Sequence, residues 1–456
     1  MQADTIITGA TVVTMDRERR IITDGAVAFA GDTIVAVGKT AQVTAQVAAR
    51  QMIDGRRFVL TPGFVNCHVH ITETLMRGFI PDALPFEEEL GNWVIPLYKA
   101  HTAADQAVAA KLAVAAMLRS GTTTFLEAGT IIAFDEVMAE IESTGIRART
   151  GRWTEDRAWD PAADADSLTR EALAALERDL ARYPQDGRRI AAWPNLIGHM
   201  TATDNLWQQV TALAARTGTR ISAHMSPVGD DAAWYLEHTG KRPLVHLNDL
   251  GVLGPHLNLV HMVHLDAQEA ALVAQSGTNV THCPGAAIRC GFGVTQHGRF
   301  PEMARAGVNI ALGTDGADNH DMMRIITLMA GLFKDVRQDR SVFPAHEVLE
   351  MATINGAKVL GMSDMVGSLE AGKKADIVAH DTRRPEWQPT NDVVKQLVWS
   401  ADGRGVHSVW VDGLRVVKDL ACTTIDEDAL YDRARAMADA LFERAGLSLV
   451  TAWPVT

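Results

Sequence analysis

The chain has 456 residues, 47% of them hydrophobic and 22% charged, with a net charge of −13. The acidic balance argues against nucleic acid or an anionic membrane surface as partner, because both select for basic surfaces. The length is too great for one small core and suits a large barrel with a satellite domain.

Cys67, Cys283, Cys290 and Cys422 are widely spaced and form no Cys-x-x-Cys pair. They suggest neither a zinc knuckle nor a disulfide framework, and they fit a reducing cytosol. The N-terminus lacks a basic stretch followed by an apolar core, and no apolar run approaches the roughly 18 residues of a membrane span. The expected location is the cytoplasm.

Residues 1–59 read as short β segments at Thr5–Thr8, Val12–Met15, Ala26–Ala30 and Thr33–Val37, punctuated by Gly9, Gly25, Gly31 and Gly38. From about 60 to 364 apolar strands alternate with amphipathic helices. Helices are predicted near 103–119, 134–143, 166–182, 204–216, 266–275, 301–306 and 345–360. Strands are predicted at Thr122–Leu126, Ile146–Gly151, Arg189–Trp193 and Asn279–His282, with others ending at His70, His224, His261 and Asp315. Eight strand signals separated by helices favour a (β/α)₈ barrel of the TIM type over an open sheet. β character returns at Ala375–His380 and Val406–Val417, and a helix near 427–445 closes the chain. The expected α/β architecture is a barrel over 60–364, a small β-sandwich domain built from 1–59 and 365–424, and a C-terminal helix and tail over 425–456.

The chemistry gathers at strand ends. In Phe64-Val65-Asn66-Cys67-His68-Val69-His70, alternate side chains share a strand face, so His68 and His70 can point the same way. Sixteen histidines can produce one His-x-His by chance. The weight comes from His224, His261 and Asp315, each ending its own apolar run, as when parallel strands deliver side chains to one rim of a barrel. Singly, a strand-end His or Asp often just caps the following helix.

These residues resemble the amidohydrolase superfamily, in its cytosine-deaminase and triazine-hydrolase-like branch. The resemblance rests on Pro62-Gly63-Phe64-Val65-Asn66-x-His68-x-His70, Gly121-Thr122-Thr123-Thr124, His224, His261-x-x-His264-Leu265, His282-Cys283-Pro284 and Gly313-Thr314-Asp315. A block from Ala352 through Asp376 also matches. The resemblance implies one divalent metal ion, Zn²⁺ first with Fe²⁺ or another divalent metal as alternatives, held by His68, His70, His224 and Asp315. Imidazoles and a carboxylate suit such a metal and leave a position for water. Relatives with two metals bridge them through a lysine on the fourth strand. Ile190-Ala191-Ala192-Trp193-Pro194 has none, which favours a single metal.

One departure bears on the reaction. Deaminases and chlorohydrolases of this branch carry a glutamate three residues after the strand-five histidine, where it moves protons at a ring nitrogen. Here that position is Pro227. Hydrolysis of an amide, urea or carbamate needs an activated water, a polarised carbonyl and a proton for the leaving amine, without ring protonation. The first expectation is therefore a hydrolase of such non-peptide C–N bonds, faintly similar to the branch's phenylurea and thiocarbamate hydrolases. Asp315 would take the water's proton and pass it to the leaving amine, and His261 would stabilise the oxyanion. The alternative is an aminohydrolase or chlorohydrolase acting on a purine, pterin or triazine-like ring, with Glu127, Glu155 or Asp156 replacing the missing glutamate. A barrel homologue without catalysis is a third reading, opposed by the intact ligand set.

His199, His282, Glu127, Trp153 and His264 are candidate contacts for a small-molecule substrate. Their blander readings are structural: a salt-bridged loop carboxylate for Glu127, packed or hydrogen-bonded rings for the histidines. Spacing cannot choose between His261 and His264, though the family pattern favours His261. Trp93, Trp153 and Trp159 could line an apolar pocket, but packing is the commoner fate of tryptophan. The Met-rich run Asp321–Arg324 reads as helix core packing. Homo-oligomers are common in the superfamily, so assembly of copies is an open expectation.

Overall fold

The computed structural model describes residues 1–157 and 164–454, which leaves Trp159 outside the described residues. Both ends of the chain build a single nine-stranded sheet. The first part supplies β1 (Gln2–Val13), β2 (Ile21–Ala30), β3 (Thr33–Lys39), β4 (Ala48–Asp54) and β5 (Phe58–Pro62). The two strands expected within β1 are one, bulged where the register shifts between Ile7 and Ala10; Gly9 sits there with φ +75°, a conformation that glycine adopts without strain.

Six of the remaining strands precede a break in the barrel wall or follow it: β6 (Phe64–Val69), β7 (Thr122–Glu127), β8 (Arg147–Thr150), β9 (Ile190–Ala192), β10 (Asn195–Gly198) and β11 (Ile221–Met225). β12 (Leu257–His261), β13 (Asn279–His282) and β14 (Ile310–Leu312) complete the wall. All pairings along it are parallel. The fourth stave is the surprise: Trp193-Pro194 splits it into β9 and β10, since proline cannot donate to a ladder. Counting β9 and β10 as one stave gives the eight of a (β/α)₈ barrel. The wall closes where β6 meets the end of β14, through a parallel bridge between Val69 and Asp315.

The chain then returns to the sheet with β15 (Ile377–Asp381), β16 (Val406–Val411), β17 (Leu414–Lys418) and β18 (Ala421–Cys422). β5 is the hinge of that domain, pairing with β1 on one side and antiparallel with β15 on the other. The expected sandwich is thus one continuous sheet whose two flanks share a core. Ile7, Val27 and Phe29 from the first part pack with Ile377, Ala379 and Trp410 from the last, with Phe29 edge-on to Trp410 at 6.3 Å.

Buried Arg147 on β8 ties barrel to sheet through Asp376, at 3.0 Å, and Asp412. The helix Ala103–Arg119 starts where Thr102 and Asp105 form a reciprocal capping box. The C-terminal helix Glu427–Ala445 lies against it, with Arg444 bonded to Asp105 and Phe442 stacked on Phe79 at 3.5 Å. The helix expected near 345–360 is two, Ala345–Met351 and Ile354–Val359, and the Met-rich run opens the long helix Met322–Arg337. Among the described residues no helix is long and apolar enough to cross a membrane.

Candidate metal centre

The strands ending at His70, His224, His261 and Asp315 deliver these side chains to one rim of the barrel. His68 Nε2 lies 3.2 Å from His70 Nε2, which lies 3.3 Å from His224 Nε2. Asp315 Oδ1 is 3.0 Å from His70 Nε2 and 3.3 Å from His68 Nε2. A tetrahedral ion with metal–nitrogen bonds of about 2.0–2.1 Å would hold its ligands roughly 3.3–3.4 Å apart. The four donors sit close to that spacing.

Their protonation fits a cation as well. His224 Nδ1 donates to the carbonyl of Ile197 at 2.8 Å, so its Nε2 is a bare lone pair aimed at His70. Burial, reinforced by the neighbouring rings, holds His224 well below the usual imidazole pKa and lowers His68. Burial opposes charge on His70 too, but Glu73 and Asp315 outweigh it and raise that ring. Asp315 is kept ionised, with His261, His68 and His70 overcoming the cost of burial. Neutral rings at His68 and His224 and a charged ring at His70, crowded around an ionised Asp315, form a set that a divalent metal would complete by displacing the His70 proton.

Local backbone serves this geometry. Asn66 Nδ2 donates to Thr314 Oγ1 at 2.8 Å and its Oδ1 accepts from Thr314 N at 3.1 Å, which fixes the residue before Asp315. A Cβ on Gly198 would stand 2.2 Å from the carbonyl of His224, so only glycine lets β10 pass that ligand. His199, Ser226, His261 and Asp315 all have positive φ, a strained state concentrated at the mouth.

The structure separates the candidates that spacing left open. His261 faces the cluster, its Nε2 3.9 Å from Asp315 Oδ2, and burial holds its pKa down to about 3. His199 also borders it: the ring stacks on His224 at 5.5 Å and its Nδ1 meets Asp231 Oδ2 at 2.9 Å. Trp153 packs edge-on against Tyr98 at 5.3 Å, two neighbours removed from His70 by way of Tyr98 and Glu73.

Three expectations need correction. His264 turns away, its Nε2 donating to the carbonyl of Phe292 at 2.8 Å and its ring against His297 at 4.2 Å. The backbone of His261 and Met262, with φ +77° and +54°, redirects the chain between the two histidines. His282 is fully buried with its ring stacked on Phe300 at 3.9 Å, which supports the packing reading over a substrate contact, and both its ring nitrogens lack a partner among the described residues. Glu127 is fully buried and spends its carboxylate on its own loop, accepting from Gly129 N and Thr130 Oγ1 at 2.7 Å each. Burial pushes its pKa up to about 7. Asp156 is similarly committed, to Thr169 and Thr203.

Glu73 is the residue that sequence reasoning missed. It lies in a 3₁₀ turn, Ile71–Met76, directly after β6, with Oε1 2.8 Å from His70 Nδ1 and accepting from Tyr98 Oη at 2.8 Å. Its only sequence signal is the spacing His70-x-x-Glu73. A cavity of about 190 Å³ lies between the residues flanking Asp315, Thr314 and Gly316, and the helices that supply Ala286, Arg289, Ile325 and Leu328; none of the four candidate metal ligands lines it. Arg289 is already paired, with Asp318 at 2.6 Å and Glu89 at 3.1 Å.

The model of the Amidohydrolase family matches residues 59–416. A 5-methylthioadenosine/S-adenosylhomocysteine deaminase of Syntrophobacter fumaroxidans is 31% identical over 96% of this chain and 98% of its own. One of Teredinibacter turnerae is 32% identical over 91% and 92%. Among solved structures, an adenosine deaminase from Xanthomonas campestris with bound zinc superposes with a TM-score of 0.89 at 30% identity, covering 97% of this chain and 99% of that one. Atrazine chlorohydrolase from Arthrobacter aurescens TC1 complexed with zinc shares the fold, with a TM-score of 0.87 at 22% identity over 95% and 100%. With the family match spanning barrel and returning strands, and with His68, His224 and His261 buried within reach of one metal ion at the barrel mouth, the chain belongs to the amidohydrolase family and is a metal-dependent hydrolase of carbon–nitrogen bonds.

Proposed function

We propose that this protein is a hydrolytic deaminase of an amino-substituted, purine-like ring, with His68, His70, His224 and Asp315 holding one zinc ion. The observation that carries the ring is full-length likeness at 30–32% identity to deaminases of adenosine-type compounds. That likeness favours the alternative drawn from the sequence over the amide, urea or carbamate reading placed first. The four free cysteines are consistent with work in a reducing cytoplasm.

Bound there, the metal would acidify a water towards a pKa of about 7 and so supply a nucleophile at neutral pH. Asp315 divides its labour: Oδ1 faces His68 and His70, while Oδ2 is turned towards His261. Oδ2 is the atom placed to accept the water's proton and return it to the departing ammonia. His261 Nε2, across from it, is placed to hydrogen-bond the oxygen that develops charge at the attacked carbon. His199, anchored by Asp231, walls the opposite side of His224.

A second reading remains on one observation. Pro227 cannot move a proton at a ring nitrogen, which favours an exocyclic amide, urea or carbamate. The test is a panel of 5′-methylthioadenosine, S-adenosylhomocysteine and adenosine beside anilides, ureas and carbamates, with the product identified. Ammonia released from an aminopurine supports the first reading. Aniline or alkylamine release, with aminopurines untouched, replaces it with the second.

A further inference from the structure

Glu73 is an expensive residue for its place. A half-buried carboxylate beside a metal-binding centre gives up part of its hydration and needs partners in return, and among the described residues no Lys or Arg pairs with it. Its Oε1 accepts from Tyr98 Oη and lies 2.8 Å from His70 Nδ1. The approach to Nδ1 is off the ring N–H axis, so that contact is one of charge against ring. Its Oε2 is turned to the loop after Asp315, where a Cβ placed on Gly316 would stand 3.1 Å away. Gly316 is part of the cavity wall.

Other carboxylates near the mouth are bonded within the protein. Glu127 caps its own loop with both oxygens, Asp156 binds Thr169 and Thr203 with both, and Asp231 holds His199 and the backbone N–H of Ser226 through Oδ2 alone. Glu155 keeps one buried oxygen without a partner among the described residues, and burial together with Asp156 raises its pKa.

We infer that Glu73 is a positioning residue with two duties: Oε1, steadied by Tyr98, holds the His70 ring towards the metal, and Oε2 accepts a hydrogen bond from an N–H of the substrate. The second duty rests on the proposed deaminase reading, and it supplies from the β6 side the carboxylate that Pro227 denies from the β11 side. A glutamate three residues after the second histidine of the pair thus offers an acceptor to the substrate, without the proton transfer that the strand-five position would supply.

The experiment uses zinc-loaded full-length protein and the variants Glu73→Gln, Glu73→Ala, Tyr98→Phe and Gly316→Ala. Zinc affinity is read by chelator competition, ligand geometry by the visible spectrum of the Co²⁺-substituted protein, and turnover with 5′-methylthioadenosine at saturating zinc. Glu73→Gln is expected to weaken zinc roughly 10–100-fold, as loss of such outer partners does, and to shift the Co²⁺ bands. Tyr98→Phe, which removes one hydroxyl and keeps the ring packing, should shift both in the same direction by less. Gly316→Ala should leave zinc affinity intact and raise KM. Glu73→Ala should raise KM about tenfold or more at full zinc occupancy, the equivalent of one lost hydrogen bond, with Glu73→Gln recovering part because it keeps an oxygen acceptor. Unchanged zinc affinity and spectrum in Glu73→Gln overturn the hold on His70. Unchanged KM in Glu73→Ala and Gly316→Ala overturns the substrate contact. Wild-type protein inert towards aminopurines rejects the deaminase reading and the substrate contact with it, while the zinc measurements, made without substrate, still decide the hold on His70.

Discussion

Asp315 donates its backbone N–H to the carbonyl oxygen of His68 at 3.0 Å, and its own carbonyl accepts from His70 N at 3.2 Å. The last strand of the barrel is thereby stitched to the first at the level of the side chains that meet there. Two ligands that share backbone bonds cannot drift apart, so the seam of the barrel and the metal centre are the same piece of structure.

Because the centre sits at the mouth, removing one ligand should empty it without unfolding the barrel. His70→Ala is expected to purify folded, with near-native circular dichroism, substoichiometric zinc by elemental analysis and no turnover. Removing the metal by chelation should lower the melting temperature of the wild type, since a ligand present at about 1,000 times its Kd contributes roughly 4 kcal/mol. A fully metallated, fully active His70→Ala protein would reject the ligand assignment.

Asp315→Asn keeps the shape and one oxygen donor while removing the charge and the base. Metal occupancy should fall only partly, whereas turnover should fall about 10²–10⁴-fold. Wild-type turnover at full occupancy would show that the proton leaves by another route, with His261 the nearest group.

Glu127→Gln would set an amide N–H₂ against donors that now point at a carboxylate, those of Gly129 and Thr130. The expected cost is about 1–3 kcal/mol of stability, the range for a buried group left unsatisfied. Zinc stoichiometry and KM should stay as they are. A changed KM with unchanged denaturation midpoint would return Glu127 to the substrate site.

Burial holds the His282 ring down to a pKa of about 3, against roughly 6.5 in an unfolded chain. Protons therefore bind the unfolded state better, and the stability present above pH 6.5 is lost as pH falls towards 3. His282→Phe, stacked on Phe300 in its place, should flatten this part of the pH–stability curve. Urea midpoints measured between pH 7 and 4 check it. Parallel curves for variant and wild type would show that other groups carry the acid sensitivity.

Arg147→Ala leaves buried Asp376 without its cation and leaves half-buried Asp412 to Arg189, 3.8 Å away. Breaking such a pair from one side costs about 3–5 kcal/mol. The loss should appear in the melting temperature and in earlier proteolysis between barrel and sheet, with the metal centre unaffected. A variant as stable as the wild type would mean that water reaches those carboxylates.

What the sequence made legible follows from periodicity and from strand ends. The helices Ala103–Arg119 and Glu427–Ala445 lie where the sequence predicts them, near 103–119 and 427–445, and His68, His70, His224 and Asp315 stand where parallel strands stop. The rest depends on where the chain turns after a strand. The left-handed backbone at His261 sends His264 outward, which three-residue spacing cannot reveal. His282 ends a strand as the ligands do, but its ring is decided by Phe300, 18 residues on. Glu73 lies in a turn without periodicity and gains its meaning from Tyr98, 25 residues later in the helix Ile95–Ala100. The break at Trp193-Pro194 hid one stave as two fragments of three and four residues.

The sheet shared by the two ends also sets a timetable for synthesis. β5 and Phe29 emerge from the ribosome early, but β15 and Trp410 follow more than 300 residues later. At roughly 5–20 residues per second that is a wait of about 15–70 s. During it the open flank of β5 and the apolar side of β2 have no native cover, so the nascent chain depends on chaperones or on rapid barrel closure to keep that edge from pairing with a neighbour.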